Sequence, residues 1–306
     1  MTDKKGFKCG MVSIVGRPNV GKSTLLNSIV GEKIAIVSTV PQTTRQQIRG
    51  IYNDKRGQIV FIDTPGLHMA KDKLDQFMNK ASAATVDEVD CLIYLVDTSR
   101  KIGREEESIA QNLKTVKKPI IFGLNKVDLK GKYLSEYIEF WEKVKEEKVE
   151  QMKNFSMIAL SGEKERNVEK LVDILFDFLP EGPALYPEDI ISDFPQKLAI
   201  ADIIREKLLK ILRQEIPHSV GVVIEHMQPV KKKTMHIKGL ILVEKETQKE
   251  IVIGKQGRVL KQVGTEARKE LEDLLETKVF LELHVKYQKR WRDNISLLQE
   301  LGYGQS

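Results

Sequence analysis

The sequence Gly16-Arg17-Pro18-Asn19-Val20-Gly21-Lys22-Ser23 decides the fold of the N-terminal half of the chain. It fits the pattern G-x-x-x-x-G-K-[ST] and lies between an apolar run at residues 11–15 and a helical pattern at 22–30. Glycines let a backbone wrap closely around phosphate oxygens, while loop N–H groups and the helix dipole supply positive potential. We therefore predict that residues 16–23, the phosphate loop, bind nucleotide phosphates. The alternative is a chance glycine turn, which the flanking strand and helix disfavour.

The phosphate loop assigns separate roles to its side chains. Lys22 is expected to reach the β- and γ-phosphates, and the hydroxyl of Ser23 is expected to bind Mg²⁺. Lys22 and Asn19 are also candidate catalytic residues. The nucleotide-binding candidates of this segment are Gly16, Arg17, Pro18, Asn19, Val20, Gly21, Lys22, Ser23 and Thr24.

Two further segments stand at suitable spacing for the γ-phosphate and its metal. Asp63-Thr64-Pro65-Gly66 follows the buried run at 59–62, so Asp63 is expected to hold Mg²⁺ through water and the Gly66 N–H to contact the γ-phosphate. Within Pro41-Gln42-Thr43-Thr44-Arg45, a threonine (Thr43 or Thr44) is expected to close over Mg²⁺ when a nucleoside triphosphate is bound. Thr44 and Gly66 complete the catalytic candidates, and Ser23, Thr44 and Asp63 are the metal candidates. Taken alone, either segment could be an ordinary turn or polar loop.

Asn125-Lys126-Val127-Asp128 follows the apolar run at 120–124 and predicts the base. Guanine presents two neighbouring donors, N1–H and the N2 amino group, and a carboxylate such as Asp128 accepts both. Adenine offers no such pair, and an unpaired carboxylate would cost on the order of 1–3 kcal/mol. Lys126 can lie over the base, and Asn125 can brace the phosphate loop. The alternative is a surface turn.

The two halves of the chain differ in the order of their predicted helices and strands. In the first, strands at 11–15, 59–62, 92–96, 120–124 and 155–159 alternate with helices near 71–88, 104–115, 135–150 and 168–179. This alternation predicts an α/β domain with a mostly parallel sheet and helices on both faces. Four prolines between residues 180 and 195 exclude a continuous helix or central strand there. We therefore predict a nucleotide-binding domain at 1–180, a linker at 181–195 and a second domain at 196–306.

The second half reads as an α+β domain with a basic surface. The pattern predicts a helix at 198–212, strands at 220–227 and 235–243, a segment at 251–253, a helix at 258–275, a strand at 279–285 and a helical tail at 291–301. Residues 229–268 hold ten Lys/Arg and four Glu, a net charge of +6. That surface suits a polyanion such as nucleic acid. A solvated lysine-rich surface explains the same charge.

Composition excludes several classes of protein. Among 306 residues, 41% are hydrophobic and 31% are charged, which is typical of a globular protein and not of a disordered one. Apolar runs are strand-sized, well short of the ~18 residues that span a bilayer. The N-terminus has no apolar core of a signal peptide. Two cysteines, Cys9 and Cys91, are too few for a disulfide framework and indicate reduced thiols in a cytoplasmic protein.

The order of these motifs resembles the TRAFAC-class GTPases, and most closely the Era family. The resemblance rests on residues 16–23, 41–45, 63–66 and 125–128. It continues through L-P-E-G-P at 179–183, Y-P-E-D at 186–189, I-V-I-G-K-Q-G at 251–257 and L-G-Y at 301–303, and so spans essentially the whole chain. It implies a P-loop GTPase domain followed by a type II KH domain.

The resemblance also implies ligands and partners. These are GTP/GDP with Mg²⁺, the single-stranded 3′ end of 16S ribosomal RNA, and a role in maturation of the small (30S) ribosomal subunit. It further implies a cytoplasmic monomer with peripheral membrane contact. The implied RNA-binding residues surround the G-x-x-G turn: Ile253, Gly254, Lys255, Gln256, Gly257, Arg258 and Lys261. Ile251, Ile253 and Val259 could line an RNA groove, although core packing explains them nearly as well.

Three positions qualify the resemblance. Ile158 stands where the family's fifth motif has serine, so the serine's bracing is lost, while Ala159 and Leu160 remain candidates for contacting guanine. Leu67 stands where other GTPases have a water-orienting glutamine, which implies slow hydrolysis. Asn19 matches related GTPases in which K⁺ replaces an arginine finger, which implies K⁺ as a further cation.

Three hypotheses remain open on sequence. The first is an RNA-binding GTPase switch in ribosome assembly. The second is a signalling or cell-cycle GTPase whose second domain binds a protein. The third is an ATPase in which the base motif has been misread.

Overall fold

A computed structural model describes residues 6–38, 40, 43–63, 72–78, 88–231 and 233–303. The chain forms two compact units. The first comprises Met1–Ala35, Thr44–Met69 and Met78–Asp193, and the second comprises Ile36–Thr43, Ala70–Phe77 and Phe194–Ser306.

The first unit is a six-stranded sheet with order β2-β3-β1-β4-β5-β6. Its strands are β1 Lys8–Val15, β2 Ile48–Asp54, β3 Gly57–Asp63, β4 Cys91–Asp97, β5 Ile120–Asn125 and β6 Phe155–Ala159. Its helices include α1 Lys22–Val30, α2 Arg104–Leu113, α3 Leu134–Lys145 and α4 Val168–Phe178. All strand pairings are parallel except that of β2 with β3. The predicted α/β fold class is confirmed.

Complete burial explains why the apolar runs in the sequence predict the central strands correctly. Every residue of β3, β4 and β5 is buried, as expected for a parallel sheet covered on both faces. On one face, the rings of Tyr94, Phe122 and Trp141 lie within 5.3–5.4 Å of one another. These apolar runs therefore carry a strong signal without any alternation.

The sequence pattern does not predict strand β2. Its sequence, IRGIYND, contains glycine and several polar residues, and half-buried positions interrupt its burial pattern. It becomes a strand by pairing antiparallel with β3 across a short turn, from Ile48↔Asp63 to Asp54↔Gly57. The helix predicted at 71–88 is helical at residues 73–78 and again at residue 88, and residues 71 and 79–87 lie outside the described part.

The observed unit boundary differs from the predicted domain ranges. The proline-rich segment contains no helix, as its composition requires, but its backbone is bonded to the first unit. Glu181 and Ser192 form isolated β-bridges with Lys8 and Gly50. The Ile51 N–H also donates to the Ile191 carbonyl at 2.9 Å. These backbone bonds place residues 181–193 in the first unit instead of in a separate linker.

The second unit carries a three-stranded sheet of order β7-β8-β9. Its elements are α5 Gln196–Ile211, α6 Ile216–Ser219, β7 Gly221–Lys231, β8 Thr234–Val243, α7 Glu246–Ile253, α8 Arg258–Leu274, β9 Lys278–Tyr287 and α9 Ile295–Glu300. β7 pairs antiparallel with β8, and β8 pairs parallel with β9. Its core joins α5, the sheet and α8 through Ile204, Ile237 and Val263, all fully buried.

The structure defines the form of the segment at 251–253 and differs from the prediction for the tail. Residues 251–253 are the last turn of α7. The tail at 291–301 is not one helix, because a 3₁₀ turn at Trp291–Asp293 ends before α9 begins. Asn294 separates the two by accepting a hydrogen bond from the Leu297 N–H, as an N-cap does.

The short segment at 36–43 belongs to the second unit through buried charged groups. Arg205, which is 3% exposed, donates to the Thr43 carbonyl at 2.6 Å and to Asp202 at 2.7 Å. Arg292 likewise pairs with Asp72 at 2.8 Å. The predicted domain ranges put Ile36–Thr43 and Ala70–Phe77 in the first domain. In the structure both segments belong to the second unit, because they contact residues that are distant along the chain. Within the described ranges, no helix has the length and apolarity needed to cross a membrane.

Candidate nucleotide-binding site

The phosphate loop leaves the end of β1 and enters α1, as predicted. Gly21 has a φ of 102°, and a Cβ there would lie 2.5 Å from Nδ2 of Asn125. Only glycine therefore fits this position. Thr24, the last nucleotide-binding candidate of the segment, lies in the first turn of α1.

Lys22 is held inside the phosphate loop by two backbone carbonyls. Its ammonium donates to the carbonyls of Gly16 at 2.9 Å and Arg17 at 3.1 Å. The residue is 7% exposed, and burial lowers its pKa to about 8, although the carboxylates of Asp63 and Glu105 act in the opposite direction. A buried cation on two carbonyls is suited to exchange them for phosphate oxygens.

Three oxygens predicted as metal ligands meet beside Lys22. Ser23 Oγ lies 2.9 Å from Thr44 Oγ1 and donates to Asp63 Oδ2 at 2.6 Å, although the residues are 21 and 40 positions apart. Asp63 is fully buried, and its Oδ1 has no hydrogen-bond partner among the described residues. Burial raises the Asp63 pKa, against the opposing effects of Lys22 and the two hydroxyls.

This cluster fits Mg²⁺, a hard cation that prefers oxygen ligands and keeps several waters. Ser23, Thr44 and Asp63 would hold the ion, and the unpartnered Asp63 oxygen would meet a bound water. When bound, Mg²⁺ neutralises charge on the phosphate oxygens.

The two candidate threonines are distinguished by their contacts. Thr44 lies in the oxygen cluster, whereas the Thr43 hydroxyl donates to the Val40 carbonyl at 2.6 Å. Thr43 is therefore the weaker candidate for binding nucleotide. Thr64, Pro65, Gly66 and Leu67 lie outside the described residues, as do Pro41 and Gln42.

Residues 125–128, the base loop, are hydrogen-bonded to the phosphate loop. Asn125 Nδ2 donates to the Val20 carbonyl at 2.7 Å, and Lys126 Nζ donates to the Asn19 carbonyl at 2.8 Å. Asn125 therefore braces the phosphate loop as predicted. Asp128 is exposed in the 3₁₀ turn Val127–Leu129, where its carboxylate can meet a base.

The loop after β6 is braced despite Ile158, which is buried. Asn125 Oδ1 accepts from the Gly162 N–H at 3.1 Å, and the Leu160 carbonyl accepts from the Val127 N–H at 3.3 Å. Asn167 Nδ2 donates to the Ala159 carbonyl at 2.7 Å. Backbone and asparagine contacts thus brace this loop where serine is absent. Sequence reasoning gave no role to Gly162, which ends the fifth-motif stretch, or to Asn167, which no motif includes.

The second unit presents the predicted G-x-x-G turn between α7 and α8. Lys255–Gly257 form a 3₁₀ turn, and Lys255, Arg258 and Lys261 are exposed. Ile251 is 50% exposed and Ile253 is half-buried, whereas Val259 packs against the core. Of the three groove candidates, Val259 is therefore explained by core packing, and the two isoleucines are not.

The matching family models coincide with the two halves of the chain. The model described as 50S ribosome-binding GTPase matches residues 11–126, and the KH domain model matches residues 215–292. With the phosphate loop, the metal cluster and the base loop in place, the class is a P-loop GTPase followed by a KH domain.

Similarity over nearly the full length identifies the family within that class. The GTPase Era of Halothermothrix orenii is 42% identical over 297 residues, covering 97% of this chain and 99% of the relative. The chain belongs to the Era family of GTPases. It is similar to a solved Era bound to MgGDPNP and nucleotides 1506–1542 of 16S ribosomal RNA, with a TM-score of 0.91, 37% identity, and coverage of 97% and 99%. A variant of Aquifex aeolicus Era bound to GDP·AlF4⁻ gives a TM-score of 0.90, 38% identity and the same coverage.

Proposed function

We propose that this GTPase binds GTP and GDP with Mg²⁺, and that its KH domain grips single-stranded RNA near the 3′ end of 16S ribosomal RNA. The hydrogen bonds that join the phosphate loop to the base loop support the assignment of a guanine nucleotide. The observation that carries the RNA assignment is the exposed Lys255, Arg258 and Lys261 around the G-x-x-G turn, at the N-terminus of a 17-residue helix. Loop N–H groups, the helix dipole and these cations favour a phosphate backbone.

The proposed role is maturation of the small ribosomal subunit. The support is membership of the Era family and the segment of 16S ribosomal RNA that is bound to the solved relative. A GTPase that clamps RNA in one nucleotide state would release it after hydrolysis, which gives the assembly step a direction.

RNA binding by the full chain tests the proposal. Wild type and the double variant Lys255→Glu/Arg258→Glu are titrated, with a non-hydrolysable GTP analogue and Mg²⁺, into an RNA carrying the 3′ end of 16S ribosomal RNA. Each lost phosphate contact and each added repulsion weakens binding, so we expect a loss of affinity of about a hundredfold.

Arg268→Glu/Lys269→Glu is the matched control. Both residues are exposed on α8, about 15 Å along the helix from Arg258, and the net charge changes equally. We expect this control to lose much less affinity. If both double variants bind RNA as wild type does, the second domain does not grip RNA through this turn, and a protein partner becomes the better hypothesis.

We propose that K⁺ accelerates GTP hydrolysis through Asn19. Its support is the position of Asn19 in the phosphate loop, where the residue adopts a φ of 64°. We expect faster turnover in K⁺ than in Na⁺ at equal ionic strength. Equal turnover in the two salts would contradict the proposal.

We also propose a cytoplasmic monomer that contacts the inner face of the membrane peripherally. Two free, buried cysteines support a reducing compartment, and the basic second unit supports contact with anionic lipid. Cell fractionation at low and high salt tests this, with salt-sensitive membrane association as the expected result. Light scattering tests the monomer.

A further inference from the structure

Two buried carboxylates border the nucleotide site without belonging to any of its motifs. Asp97 ends β4, and Glu106 lies in the first turn of α2. Their side chains are each 2% exposed, and each faces a basic residue of the site. Burying a carboxylate is costly unless it is paired and hydrogen-bonded, so their placement requires a reason.

Asp97 holds Lys126 of the base loop. Lys126 Nζ lies 2.9 Å from Asp97 Oδ2 while it also donates to the Asn19 carbonyl at 2.8 Å. On the other side, Asp97 Oδ1 accepts from the N–H and the hydroxyl of Ser99, at 3.0 and 2.6 Å. Both carboxylate oxygens are therefore occupied, and the side chain is fixed in one orientation.

Glu106 holds Arg17 of the phosphate loop. The Arg17 guanidinium forms an ion pair with Glu106 Oε1, and the Tyr137 hydroxyl lies 3.3 Å from the same oxygen. Glu106 Oε2 accepts from the Gly103 N–H at 3.0 Å, which also caps α2. The guanidinium lies 3.9 Å from Asp97 Oδ2, so the two pairs meet.

The four groups join segments that are distant in sequence. Two carboxylates, one at the end of β4 and one on α2, balance two cations on the phosphate and base loops. Removing one carboxylate leaves a partly buried cation without its counter-charge, and that cation must then move or recruit water. The loop that carries it moves as well.

We propose that Asp97 and Glu106 are positioning residues, which hold Lys126 and Arg17 so that the two nucleotide-binding loops keep one geometry. They act through those cations and need not touch the nucleotide. The inference rests on the nucleotide-binding part of the proposed function and is independent of RNA.

The test is a double-mutant cycle on nucleotide release. Dissociation of a fluorescent GDP in Mg²⁺ is followed by stopped flow for wild type, Asp97→Asn, Lys126→Met and the double variant. We expect Asp97→Asn to speed release about tenfold, and the double variant to release no faster than Lys126→Met alone, because contacting residues are coupled. The same pattern is expected for Glu106→Gln with Arg17→Met.

Asp173→Asn is the matched control, because it also removes a carboxylate from an ion pair of the first unit, that with Arg56. Its carboxylate is 62% exposed, and its release rate is expected to match wild type. A partly unfolded sample lowers the amplitude of the signal, whereas a positioning role changes the rate constant of the folded fraction. If Asp97→Asn fails to fold, Ser99→Ala removes one of its supports and is expected to speed release in the same direction.

Two outcomes overturn the inference. Release at the wild-type rate in the carboxylate variants contradicts it, and so do additive effects in both cycles, which indicate that the carboxylates do not act through the cations. Failure of wild type to bind guanine nucleotide would instead defeat the proposed function. The two failures are therefore distinguishable.

Discussion

At the scale of single residues, burial gives Lys22 a pH dependence that an exposed lysine lacks. Its pKa, lowered to about 8 by burial, means that the free protein loses this charge as the pH rises through 8. Anionic phosphates stabilise the charged form, so nucleotide binding above pH 8 requires uptake of a proton. We expect GDP affinity to be level at pH 7 and to fall by up to about tenfold per unit above 8.

Calorimetry in two buffers of different ionisation enthalpy measures that proton uptake. Lys22→Met is the control, since it retains the titration of the guanine base but lacks the lysine. A wild-type affinity that follows the same pH curve as Lys22→Met would contradict the prediction.

The exposed Asp128 makes a second prediction at this scale. Asp128→Asn replaces an acceptor-only carboxylate with an amide, which suits xanthine better than guanine. Losing two charge-assisted hydrogen bonds should weaken GDP binding by about a hundredfold or more, with a gain for XDP. Competition between the two nucleotides measures the switch. An Asp128→Asn protein that still prefers GDP would show that the base is recognised elsewhere.

At the scale of elements, the turn between α7 and α8 depends on two unequal glycines. Gly254 has φ 75° and ψ 167°, a region essentially restricted to glycine, and a Cβ there would lie 2.6 Å from Val259 Cγ2. Gly257 has φ 74°, but a Cβ there would meet nothing within 4 Å. The first glycine is required by backbone and space, and the second by backbone alone.

We therefore expect Gly254→Ala to destabilise the second unit more than Gly257→Ala, by about 2–4 kcal/mol against about 1 kcal/mol. Urea unfolding in a Trp141→Phe background reports this, because Trp291 is then the remaining tryptophan and is fully buried in the second unit. Equal losses would show that the turn relaxes around a side chain. The same strain makes charge reversal at Lys255 and Arg258 a cleaner test of RNA binding than substitution of Gly254.

At the scale of the whole molecule, each unit has its own hydrophobic core. Two cores predict two thermal transitions, and the nucleotide site lies in the first unit. A ligand at a hundred times its Kd stabilises the form it binds by about 2.7 kcal/mol. Scanning calorimetry should therefore show GDP with Mg²⁺ raising one transition and leaving the other in place.

Fluorescence assigns those transitions, since Trp141 lies in the first unit and Trp291 in the second. We expect the transition reported by Trp141 to be the one that nucleotide raises. A single transition that shifts as a whole would show that the units unfold together.

The sequence alone determined the parts of this protein that depend on local pattern. The phosphate loop, the base loop, the buried parallel strands and the G-x-x-G turn are short segments whose residue types set backbone conformation and chemistry directly. They predict the α/β class, the nucleotide and the second domain, and they predict Ser23, Thr44 and Asp63 as metal ligands, whose oxygens meet in the structure.

Tertiary structure decided what depends on contacts between distant segments. Strand β2 forms only because it pairs with β3. Residues 181–193 join the first unit through backbone hydrogen bonds. Arg205 binds the Thr43 carbonyl of the 36–43 segment within the second unit. Asp97 and Glu106 belong to no motif, because an ion pair leaves no periodic signal in sequence. Parallel strands deliver their carboxyl ends to one edge of a sheet, and that edge is where residues far apart in the chain become one site.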